Sequence, residues 1–81
     1  SAGGNLTLFA FDAGQGLTEH KSPFEALVMV LEGELTLTIG GVPVQATPGT
    51  IVQMPADVPH AVDAPVATRM LLLMLRDAKP A

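Results

Sequence analysis

Residues 34–44 read Glu34-Leu35-Thr36-Leu37-Thr38-Ile39-Gly40-Gly41-Val42-Pro43-Val44. Leucine or isoleucine holds every second position, 35, 37 and 39, with threonine between. Successive side chains of an extended chain point to opposite faces, so this is a β-strand with one buried and one wet face. Gly40-Gly41 follows directly. The tightest hairpin turn needs positive φ at both central residues, which glycine tolerates, so the pair marks a two-residue hairpin. Val42 and Val44 continue on its far side.

The same grammar extends outward in both directions. Downstream, Pro48-Gly49 makes a turn, Thr50 to Met54 is a strand stopped by Pro55, His60 to Asp63 is a short strand, and Ala67 to Arg76 is long and almost wholly apolar. Upstream, Ala26-Leu27-Val28-Met29-Val30-Leu31 is apolar on both faces, as in a strand covered on both sides. Leu6 to Phe11 is a first strand, stopped at Asp12-Ala13-Gly14. No segment carries the i, i+3, i+4, i+7 stripe of a helix. Seven or eight short strands punctuated by turns predict an all-β sandwich or small barrel, with residues 1–81 as a single domain. Two long strands apolar on both faces are more than one small barrel hides. A homodimer, through a sheet face or a swapped edge strand, is the expected cover; loops lying over that face are the alternative.

Composition narrows the function classes. The 81 residues carry four Lys plus Arg against eight Asp plus Glu, a net charge of −4, and the cations form no patch. No nucleic acid and no membrane partner is therefore expected. There is no cysteine, which removes disulfides, thiolate metal sites and thiol nucleophiles. Three phenylalanines and no tryptophan or tyrosine argue against recognition by aromatic stacking. Met70 to Leu75, the longest apolar run, is too short to span a bilayer, and no charged-then-apolar leader opens the chain, so a cytoplasmic location is expected. No nucleophile elbow, phosphate-cradling glycine loop or carboxylate pair stands out.

Gly14, His20 and Gly33 in one segment, and Gly49, Pro55 and His60 in another, fall at the spacing of the two motifs of the cupin superfamily. The chain resembles a small single-domain microbial cupin, with the first motif over about residues 14–33 and the second over about 49–64. The fifteen residues between Gly33 and Gly49 fit the shortest members. The resemblance implies a small antiparallel β-barrel of jelly-roll type, commonly dimeric. It also implies where a divalent metal would sit: cupins that bind one use three histidines and a glutamate of these motifs. Here only His20 and His60 match; Ser22 stands at the second histidine position and Ala26 at the glutamate position. Asp57 replaces a motif glycine and Ala64 the final asparagine.

Two imidazoles begin a zinc, nickel, iron or manganese site but need a third ligand to complete it. Glu25 is the nearest carboxylate, one residue out of register with Ala26, so only a bulge turns it inward. Gln53 is a weaker oxygen donor, and Ser22 leaves room for water. Three readings follow. In the first, the barrel binds a small organic ligand, with His20 and His60 at its mouth and Ala26, Val28 and Val30 along its wall. In the second, the same histidines hold a divalent metal in an enzyme of dioxygenase, isomerase or decarboxylase type. In the third, the chain is a non-catalytic dimeric interaction module. Arg69, interrupting an apolar strand, is expected to pair with an acidic group at a dimer interface or to face the pocket.

Overall fold

A computed structural model describes residues 4–75, and these form eight strands and no helix. The strands are β1 (Gly4–Phe11), β2 (Gly16–His20), β3 (Glu25–Glu32), β4 (Leu35–Ile39), β5 (Val42–Ala46), β6 (Ile51–Met54), β7 (His60–Asp63) and β8 (Thr68–Leu75). They make two four-stranded antiparallel sheets, ordered β1-β8-β3-β6 and β2-β7-β4-β5. This is the jelly-roll order, and the all-β expectation holds.

Alternation drives the packing. Leu35 and Leu37 of β4 are fully buried, and Ile39 packs on the same core. Across the layer, Ala26, Val28 and Val30 of β3, Met70 of β8, Phe11 of β1 and Met54 of β6 point inward, and Val62 of β7 joins Leu35 and Leu37 from their own sheet. Phe9 stacks on Phe11 with ring centroids 5.9 Å apart. The hairpin falls where the glycine pair places it: Ile39 faces Val42, and Gly40 and Gly41 have φ of 57° and 82°. Gly33 is a second obligatory glycine. At φ 90° it turns the chain from β3 to β4, and a Cβ there would collide with the Ala67 carbonyl and Thr68.

Two features depart from the expected strand map. β2 is an additional strand, at the edge of its sheet and nearly all exposed, so no apolar alternation announces it. The strand expected to be covered on both sides, β3, is covered on one: Met29 and Leu31 on its outward side are 39% and 46% exposed in the single chain. The expected last strand is β8, and its Arg76 lies outside the described residues. No helix among the described residues is long and apolar enough to cross a membrane.

The topology gathers one set of connections at one end of the molecule. The end of β2 lies against the start of β7, the end of β4 against the same start, and the start of β3 against the end of β6. The 21–24 and 55–59 connections, which cross between the sheets there, are tied by the Asp57 N–H donating to the Ser22 carbonyl at 2.8 Å. The Gly40 N–H donates to the Pro59 carbonyl at 2.8 Å, fastening the hairpin turn to the same cluster.

Candidate functional site

His20 closes β2 and His60 opens β7, and the two residues are direct cross-strand partners. Between Leu17, opposite Val62, and His20, opposite His60, β2 spends one residue more than β7. That extra residue is a β-bulge, a device that re-aims a side chain. It lets Leu17 and His20, three residues apart, both face the inward side that Val62 and His60 share. The ring centroids are 4.4 Å apart with planes at 70°, an edge-to-face contact. His60 is buried at 6% exposure, and His20 lies exposed beside it.

Each ring is oriented by the backbone. His20 Nδ1 lies 2.8 Å from the Thr18 carbonyl and His60 Nδ1 lies 3.2 Å from the Val58 carbonyl. A carbonyl only accepts, so each Nδ1 donates, and in the neutral rings the lone pair sits on Nε2. Neither Nε2 is hydrogen-bonded within the described residues, and no buried side-chain nitrogen or oxygen there lacks a partner. Both Nε2 atoms are therefore reached from solvent. The inward side at this end is otherwise apolar: Ala26 at the start of β3, Met54 opposite it on β6, and Ile39 opposite His60 on β4.

The other candidate residues do not complete a metal set. Burial alternates along β3, with Ala26, Val28 and Val30 inward, so Glu25 lies on the outward side with Leu27 and Met29. There it accepts a 3.0 Å hydrogen bond from Gln53 Nε2. The structure brings Glu25 and Gln53 together, and places both apart from the imidazoles. Ser22 Oγ accepts from the Phe24 N–H at 3.2 Å, capping its own turn. Val28 and Val30 belong to the packed core. No group of three or more His, Asp or Glu residues suited to a metal exists among the described residues. Two imidazoles without a third oxygen or nitrogen donor do not fit a resident zinc, nickel, iron or manganese ion.

Two positions gain meaning only from the coordinates. Asp57 takes φ 65°, a left-handed conformation that glycine adopts freely and aspartate tolerates better than most residues. Thr68, 2% exposed, accepts from the Glu34 N–H at 3.1 Å, and its hydroxyl lies 2.9 Å from the Glu34 and Val66 carbonyls, its acceptors. It knits the β3–β4 turn to the β7–β8 connection. A threonine near the start of an apolar strand was the sequence cue.

Comparison with known proteins completes the description. The family model for the cupin domain matches residues 7–76. A conserved protein of unknown function from Streptococcus pyogenes is 36% identical over 96% of this chain and 66% of its own, with a TM-score of 0.87. A cupin 2 conserved barrel domain protein from Leptotrichia buccalis is 35% identical over 90% of this chain and 36% of its own, with a TM-score of 0.86. The DMSP lyase DddQ from Ruegeria pomeroyi is 26% identical over all of this chain and 42% of its own, with a TM-score of 0.84. This chain thus spans less than two thirds of each of those three. No curated protein matches it.

Proposed function

This chain belongs to the cupin domain family, and on that premise we propose that it binds a small organic ligand at the end of the barrel where His20 and His60 meet. The observation that carries this reading is the pair of imidazoles 4.4 Å apart, each with Nδ1 spent on a carbonyl and Nε2 open to solvent. Two acceptor nitrogens at an end of the barrel whose inward residues are Ala26, Met54 and Ile39 suit a molecule with a hydroxyl or amino donor on an apolar body. The metal-dependent enzyme is the less supported reading, because two of the four ligand positions of the motifs are Ser22 and Ala26 and Glu25 is committed to Gln53.

Two measurements separate the readings. In the first, NMR shift mapping uses phenol and benzyl alcohol as probes. The expected result is perturbation centred on His20, His60, Ala26 and Met54, lost in His60→Ala. The second is elemental analysis of protein purified without a histidine tag, for which well below one metal per chain is expected. One equivalent of metal that disappears in His60→Ala, or probe shifts scattered away from this end, overturns the proposal.

A further inference from the structure

In their neutral form the rings of His20 and His60 offer a ligand two acceptors and no donor. Each Nδ1–H is spent on a carbonyl, of Thr18 and of Val58, which leaves one Nε2 lone pair per ring. Ala26, Met54 and Ile39, on the same inward side, carry no side-chain donor and no charge. The ring centroids are 4.4 Å apart, and each Nε2 lies little more than a bond length from its own centroid. Two hydrogen bonds of about 2.9 Å from one atom span acceptors up to about 6 Å apart. Rings in contact on one side of one sheet suit that span. The chain as a whole favours cations, with a net charge of −4. Glu19 and Lys21, exposed on either side of His20, offset one another. Arg69 is engaged by Glu32 of its own chain at the opposite end of β3, and not at this site.

We propose that the ligand's head group is a primary ammonium that bridges the two Nε2 atoms, an assignment that rests on the reading that a small organic ligand binds at this end. Counting hydrogens selects it. A hydroxyl has one hydrogen, so it satisfies one ring and leaves the other unmatched. An ammonium has three, so it donates to both rings and keeps one for solvent. Its charge also makes each bond roughly twice as strong as a neutral one. A diol supplies two hydrogens, but from two separate oxygens and without charge. A carboxylate, phosphate or carbonyl brings acceptors only and finds no donor on either ring. A quaternary ammonium brings charge without a hydrogen. The apolar remainder of the molecule then lies against Ala26, Met54 and Ile39.

NMR titration of the full chain tests this, with a chelator present and at about pH 8, where an alkyl amine keeps its charge. The probes are benzylamine, benzyl alcohol, benzyltrimethylammonium and catechol. Benzylamine is expected to shift His20, His60, Ala26 and Met54 and to saturate at about one tenth of the benzyl alcohol concentration. Benzyltrimethylammonium and catechol are expected to bind no tighter than benzyl alcohol. His20 is exposed, so His20→Ala is expected to keep the far-UV spectrum of the parent. One acceptor remains in it, and the preference for amine over alcohol should fall several-fold. Four results overturn the ammonium assignment and leave the ligand-binding reading standing. They are benzylamine no tighter than benzyl alcohol at this end, benzyltrimethylammonium as tight as benzylamine, catechol tighter than both, or a preference unchanged in His20→Ala. No shift at this end from any probe overturns both.

Discussion

His20 and His60, far apart in the chain, meet as cross-strand partners with their rings in contact. Each imidazole is held by a carbonyl two residues earlier, from Thr18 and Val58, so ring orientation is set locally. The spacing of the glycines and histidines made this pair legible before any coordinates. The bonds of Glu25 and Ser22 were not legible, because strand alternation fixes only the side of a residue and not its partner. Asp57 is the residue where local strain is most exposed. At φ 65°, Asp57→Ala should cost about 1 kcal/mol in urea unfolding, the left-handed penalty of an ordinary side chain. Asp57→Gly should be neutral or better, and equal losses for the two would contradict a conformational cause. Thr68→Val should cost about 1–3 kcal/mol, because it leaves the Glu34 N–H without its partner.

At the scale of elements, the hairpin and the bulge do opposite jobs. The Gly40-Gly41 turn sets the register of β4 and β5 by backbone conformation alone, which is why alternation plus two glycines was enough to place it. Gly40→Val should destabilise by about 1–2 kcal/mol or more in the same assay, since a β-branched residue must then hold φ 57° with its Cβ 3.3 Å from Val58. The bulge in β2 had no such signal. Thr18, Glu19 and His20 are exposed on an edge strand, so neither periodicity nor composition distinguishes them from a loop. A strand held by cross-strand pairing alone is visible only once its partner β7 is in place.

For the whole molecule, the distribution of apolar surface sets stability. Among the described residues, the inward faces of two small sheets supply the core. Leu35→Ala, at a fully buried position, should cost about 2–5 kcal/mol. For a domain of this size that is a large share of a total stability of about 4–12 kcal/mol, so the variant should be substantially less resistant to urea. The second apolar face of β3 and β8 adds nothing to the core of a single chain. Its legibility in Ala26 to Leu31 came from the absence of polar alternation, which says that something covers the face without saying what.

The account rests on two rings meeting at one end of the barrel with their Nε2 atoms free. Long-range proton–nitrogen correlation of the histidine side chains, combined with a nuclear Overhauser experiment, addresses this directly. In their neutral form both rings are expected to show the Nδ1–H tautomer, with an inter-ring Overhauser effect between His20 and His60. Two Nε2–H tautomers with no inter-ring effect would contradict it.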